Sequence, residues 1–126
     1  MKNEIIITDP VVGTRIIGKD HEPFVIAEVS ANHNGSLDKA MAIIEAAAAS
    51  GAHSVKFQTY TADTMTIDCD RPEFKISDEG SLWNGYNLYD LYKQAYTPWD
   101  WQKKMFDRAR ELGMIPLSTP FADTSV

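Results

Sequence analysis

Apolar residues along the chain fall into short compact runs separated by Gly, Pro, Asn and Asp, and two longer stretches carry them at helical spacing. The first runs, Glu4-Ile5-Ile6-Ile7-Thr8 and Thr14-Arg15-Ile16-Ile17, flank Asp9-Pro10 and Gly13 and predict a small β-hairpin. Phe24-Val25-Ile26-Ala27-Glu28-Val29-Ser30 follows Pro23 as a strand and runs into the turn-rich Asn32-His33-Asn34-Gly35. Ser36 is placed to cap a helix whose apolar positions are Leu37, Ala40, Met41, Ile44, Ala47 and Ala48, with Gly51 as its stop. A second strand, Ser54 to Tyr60, comes next. The order strand, helix, Gly, strand is the mark of a βαβ unit and therefore of a parallel sheet.

The same order recurs after a polar excursion from Thr61 to about Tyr96, far longer than the usual two to six residues between such elements. One short helix is predicted within it, near Leu88-Tyr89-Asp90-Leu91-Tyr92, and the remainder reads as a solvated loop that serves as a lid or subunit contact. Its acids lack the spacing of a calcium loop. Thr97-Pro98-Trp99-Asp100 predicts a helix start with Thr97 as cap, and Trp101, Met105, Ala109 and Leu112 form the buried stripe up to Gly113. The third strand runs from Met114 to Thr119, closed by Pro120. The expected organisation is a hairpin over residues 1–20, then the first βα units over 21–126 with an insertion at about 61–96.

Composition narrows the class. At 126 residues, with 44% hydrophobic and 24% charged positions, the chain suits one soluble globular unit. No run of about 20 apolar residues is present and the N-terminus does not read as a secretory signal, so neither a membrane partner nor export is expected and the chain is read as cytoplasmic. A net charge of −6 with scattered cations excludes a nucleic-acid footprint. An anionic substrate would have to be held by a few local donors. Cys69, the single cysteine, has no internal partner and reads as an incidental loop thiol.

Candidate chemistry lies where the strands break their own pattern. Strands covered on both faces should be almost wholly apolar. Alternation puts Ile26, Glu28 and Ser30 on one face and Val25, Ala27 and Val29 on the other; Lys56 and Gln58 share a face opposite Val55 and Phe57. Both strands thus turn polar near their C-terminal ends, where α/β barrels carry their active sites. An unpaired buried Glu or Lys would cost several kcal/mol, so these groups need partners or a ligand. Two readings stand: an internal Glu28–Lys56 ion pair, or a site in which Lys56 holds a phosphate or carboxylate, Gln58 a sugar hydroxyl or amide, and Glu28 orients or deprotonates water or a hydroxyl. His33 is read equally as a general acid or metal ligand and as a turn histidine bonded to local backbone. His53 reads as a surface residue near the helix stop, and Trp83, Trp99 and Trp101 as packing residues.

Phe24 to Ser36, with its Glu28-Val29-Ser30-Ala31-Asn32-His33-Asn34-Gly35 core, resembles the opening motif of the N-acetylneuraminate synthase family. Gly51 to Tyr60 resembles that family's second-strand motif and Leu117-Ser118-Thr119-Pro120-Phe121 its third. Tyr60 to Thr66, Leu82-Trp83-Asn84-Gly85, Leu88 to Tyr92 and Tyr96 to Trp99 are most similar to the pseudaminic acid synthases within it, with N-acetylneuraminate and legionaminate synthases as the alternative.

The resemblance implies the N-terminal part of a (β/α)8 TIM barrel, an incomplete barrel preceded by a short hairpin. It also implies condensation of phosphoenolpyruvate with an N-acetylated amino sugar, in the pseudaminic case a 2,4-diacetamido-2,4,6-trideoxy altrose, giving a nine-carbon 2-keto acid and phosphate. By the same resemblance Glu28 is catalytic, Lys56 contacts phosphoenolpyruvate, Gln58 contacts the sugar, Thr119 and Ser118 line the phosphoenolpyruvate pocket, and Asn32, His33 and Asn34 shape the first loop. A divalent metal (Mn2+ or Mg2+) would be held by histidines outside this chain, and the complete enzyme would be a homodimer. A whole barrel takes about 250 residues. The chain is therefore expected to be inactive alone and to expose an open sheet edge. The remaining alternatives are a non-catalytic remnant and a Schiff-base aldolase barrel, in which Lys56 would be the nucleophile.

Overall fold

A computed structural model of the chain describes residues 3–125. An antiparallel hairpin, β1 (Ile5–Asp9) and β2 (Gly13–Ile17), precedes a three-stranded parallel sheet of β3 (Ile26–Ser30), β4 (Ser54–Thr59) and β5 (Ile115–Pro120) in the order β3-β4-β5. Helix α1 (Leu37–Ala49) joins β3 to β4. The β4–β5 connection carries α2 (Ala62–Met65), α3 (Leu88–Ala95) and α4 (Gln102–Glu111).

Each long helix forms and ends for reasons visible in its residues. Ser36 accepts the Lys39 amide at 3.3 Å and so caps α1. At its other end Gly51, with φ +83°, donates to Ala48 and Ala52 donates to Ala47; at the end of α4 Gly113, with φ +79°, donates to Arg110 and Met114 to Ala109. Both are the paired bonds of a Schellman stop, which needs a residue in the left-handed region. Two identical stops therefore feed β4 and β5.

The core lies between the sheet and the α1–α4 pair. Val29, Val55 and Phe57 meet Ala40, Ile44, Ala47, Met105, Ala109 and Met114, all buried, and Phe57 stacks on Phe106 at 5.8 Å. Arg108 of α4 reaches Glu45 of α1 at 2.7 Å across the exposed rim. Asp9 ties the hairpin to α4: its carboxylate accepts the Val11 and Val12 amides and, at 3.0 Å, the Arg110 guanidinium. Burial pushes the Asp9 carboxyl up, and these donors outweigh that and hold it below its ordinary value.

Four expectations change. Val25 lies before β3 and is half exposed; its carbonyl accepts the amides of His53 and of Ser54, the first residue of β4. His53 is not a free surface residue: its Nδ1 accepts the Val25 amide at 3.0 Å and its ring stacks on Phe24 at 5.7 Å. Thr97 does not cap α4; a 3-10 turn over Trp99–Trp101 opens that helix, and the Thr97 hydroxyl is engaged elsewhere. The excursion is also more structured than a solvated loop. Helices α2 and α3 pack together, Tyr60 meets Tyr92 edge-on at 5.7 Å, and Asn87 caps α3 while donating to the Cys69 carbonyl at 2.7 Å. Among the described residues no helix is long and apolar enough to cross a membrane.

Candidate active site

In a parallel sheet, residues in register point to the same face. The register Glu28–Lys56–Leu117, followed by Gln58–Thr119, therefore builds two successive rows on the face turned away from α1 and α4, which no helix among the described residues covers. Val29, Val55, Phe57, Thr59 and Ser118 fall on the other face, toward α1 and α4. The open face sits at the C-terminal ends of three parallel strands, and its upper part is polar.

Lys56 Nζ donates to Glu28 Oε1 at 2.6 Å, with the Lys56 side chain 33% and the Glu28 side chain 49% exposed. The two groups that a covered strand would have buried are thus paired and half in solvent, because nothing among the described residues overlies this face. An ion pair this exposed contributes about 0–1 kcal/mol, so stability does not account for it. Ser30 Oγ donates to the second oxygen, Oε2, at 3.0 Å. The Lys56 hydrogen bond first, and the Ser30 bond and the Lys56 charge with it, hold the Glu28 carboxyl below its ordinary value against partial desolvation. Glu28 is consequently an ionised acceptor near pH 7, suited to orienting a hydroxyl or water and unsuited to donating a proton.

The other expected residues divide. Gln58 and Thr119 are neighbours one row above Lys56, partly exposed on the same face. Ser118 points to the helix side, where its hydroxyl meets Thr59 Oγ1 at 2.6 Å. Asn32 is exposed and its amide donates to the Val29 carbonyl at 3.0 Å, which leaves Oδ1 available. Asn34 is exposed with φ +48°, next to Gly35 at +66°, so the loop after β3 makes two consecutive left-handed residues.

His33 is fully buried. Its Nδ1 accepts the Gly35 amide at 3.2 Å, which puts the ring proton on Nε2, donated to Thr97 Oγ1 at 2.8 Å; Trp101 meets the ring edge-on at 5.4 Å. Desolvation holds this imidazole below its ordinary value. His33 is a neutral strut between the first loop and the start of α4, away from the open face. Of the two readings of this residue, the turn histidine describes its Gly35 contact, and the link to Thr97 adds a partner 64 positions away.

Ser30 is the residue that sequence reasoning passed over. Its place two positions from Glu28 was visible, whereas its hydrogen bond was not. Among the described residues no three His, Cys, Asp or Glu side chains converge as a metal site. Of these four residue types the open face offers, among the described residues, Glu28 alone, already paired with Lys56, so these residues do not fit a metal and no step here runs through one.

The NeuB family profile matches residues 43–126. The pseudaminic acid synthase of Campylobacter jejuni subsp. jejuni serotype O:2 is 44% identical over 107 residues, which is 85% of this chain and 31% of that protein. The pseudaminic acid synthase of Helicobacter pylori is 41% identical over 104 residues, 82% of this chain and 30% of its own length. The chain therefore spans about a third of the length of these relatives. In structure it is similar to N-acetylneuraminic acid (sialic acid) synthetase from Leptospira borgpetersenii serovar Hardjo-bovis in complex with citrate, with a TM-score of 0.73 over 99% of this chain and 36% of that one at 24% identity, which is a likeness of fold.

Proposed function

The chain belongs to the NeuB family, and from that premise we propose that it contributes three strands and part of the substrate site of a pseudaminic acid synthase. The reaction is condensation of phosphoenolpyruvate with a 2,4-diacetamido-2,4,6-trideoxy altrose in its open-chain aldehyde form, giving a nine-carbon 2-keto acid and phosphate. The sheet is then part of a (β/α)8 barrel whose interior is the open face. The observation that carries this reading is the Glu28–Lys56 pair on that face with Gln58 and Thr119 in the row above it, at the C-terminal ends of parallel strands.

Lys56 supplies a fixed cation for the phosphate or carboxylate of phosphoenolpyruvate. Gln58 offers both a donor and an acceptor to the sugar. Glu28, ionised and anchored on both oxygens, handles the proton of the water that adds to the enol carbon or of a sugar hydroxyl. Thr119 borders the phosphoenolpyruvate end, with Asn32 and Asn34 at the rim. The divalent metal that this chemistry calls for, Mn2+ or Mg2+, would be held by residues outside this chain, and the working enzyme would be a homodimer. The identities of 44% and 41% to two pseudaminic acid synthases support that acceptor over those of N-acetylneuraminate or legionaminate synthases.

Steady-state kinetics of the full-length protein test the reading. Lys56→Ala removes a charge-assisted hydrogen bond and should raise KM for phosphoenolpyruvate about 10- to 100-fold. Glu28→Ala should lower kcat by about 10²–10⁴-fold with a smaller effect on KM. Wild-type constants for both variants would remove the site. Faster turnover of the acceptor of the N-acetylneuraminate synthases than of the diacetamido trideoxy sugar would move the protein to the sialic acid branch.

A further inference from the structure

The geometry points to Ser30 as a positioning residue that fixes the carboxylate of Glu28 through its second oxygen. The inference rests on the reading of Glu28 as the group at the reacting centre.

Strand β3 slips register at this point: Glu28 pairs with Lys56, yet Ser30, two residues on, pairs with Phe57, only one position further along β4. One residue is therefore extra on β3, a bulge of the kind that re-aims a side chain beside an active site. Ser30 takes up the deviation with φ +49°, in the left-handed region where a residue other than glycine is strained. Glycine would satisfy the backbone there at no steric cost. What serine adds is a hydroxyl, and the partner of that hydroxyl is Glu28 Oε2 at 3.0 Å.

A carboxylate held on one oxygen turns easily, since its terminal torsion is broad. Lys56 on Oε1 and Ser30 on Oε2 together fix its plane, and each oxygen keeps capacity to accept a further bond. The groups facing Glu28 are few. From β4 comes Lys56, from β5 the uncharged Leu117 and Thr119, and from its own strand Ser30. Among the described residues Lys56 is the one charged group in contact with it, and the Ser30 donor adds to the preference for the ionised form.

The test sets activity against stability in the full-length protein, using Ser30→Gly, Ser30→Ala and Glu28→Gln. Ser30→Gly relieves the backbone and removes the hydroxyl, so Tm should hold or rise while kcat falls about tenfold or more, the loss expected for a hydrogen bond to a charged group. The acid limb of the kcat/KM–pH profile should move to higher pH, because Glu28 loses a donor that favours its ionised form. Ser30→Ala should repeat the kinetic change without the gain in Tm. Wild-type kcat and acid limb in Ser30→Gly would overturn the inference. So would a fall in activity that follows a fall in Tm with the acid limb unmoved, which is the signature of a purely structural role. Glu28→Gln separates the two levels: if it keeps wild-type kcat, the reading of Glu28 itself is wrong, whatever Ser30 does.

Discussion

Side chains of similar polarity have opposite fates within the six residues from Glu28 to His33. Glu28 stands half exposed and ionised, and His33 is sealed in the core and neutral. The difference is coverage, since Trp101 and Thr97 close over His33 while nothing among the described residues closes over the sheet face. For His33 this makes a prediction about pH. Its folded-state value is depressed, so the unfolded chain binds the proton more readily. The stability His33 contributes is fully present above the ordinary imidazole value of about 6.5 and is lost as pH falls from there through the lower folded value. Denaturant midpoints between about pH 7 and 5 should show that loss in the wild type and a flatter dependence in His33→Gln. Equal slopes would mean that the imidazole is not neutral in the fold. Thr97→Val leaves the Nε2 proton without a partner and should cost about 1–3 kcal/mol at pH 7.

At the scale of elements, the repeated unit of helix, left-handed glycine and strand does most of the building. A Cβ at Gly51 or Gly113 would meet nothing within 4 Å, so substitution there is opposed by backbone conformation alone. Gly51→Ala and Gly113→Ala should each lower the unfolding free energy by about 1 kcal/mol, measured by urea denaturation with unchanged m-value. No change would mean that the Schellman stops do not need the left-handed residue. The polar excursion folds by a different logic. With few buried apolar residues, it relies on caps and polar ties: Thr61 with Thr64, Asn87 with Cys69 and Tyr89, and the Tyr89 hydroxyl with Asp63 at 2.9 Å. Such a segment sits at the low-stability end of a fold and should exchange its amides before β4 does.

For the whole molecule, the decisive feature is that the parallel sheet has three strands. Among the described residues β3 and β5 each pair on one side only, and the face carrying Glu28, Lys56, Gln58 and Thr119 has no cover. Unpaired strand edges and a half-apolar open face, where Ile26 is 42% exposed, favour association. The chain expressed by itself should self-associate in light scattering at micromolar concentration and release no phosphate from phosphoenolpyruvate. A monodisperse monomer that turns over phosphoenolpyruvate would show that three strands suffice both for folding and for the site.

Hydrophobic spacing, the glycine stops and the hairpin punctuation were legible along the chain because they are local. Ile44 must lie one turn from Ala40, and Gly51 must end a helix, whatever the remainder of the fold does. Alternation also placed Glu28, Lys56 and Gln58 on one face, since the period of a strand is two residues. The sequence by itself therefore determined the α/β class, the parallel units and the candidate row of polar groups. Tertiary structure decided what joins residues far apart. It set the register that puts Glu28 against Lys56, the bulge that brings Ser30 onto Glu28, the turn of Ser118 toward Thr59, and the use of Thr97 on His33 instead of on a helix end. The Glu28–Lys56, Thr59–Ser118 and His33–Thr97 ties depend on which partners come within hydrogen-bond distance across 28 to 64 positions of chain, and the Ser30 bond, though it spans two residues, depends on the bulge that pairing with β4 imposes; local preference decides neither.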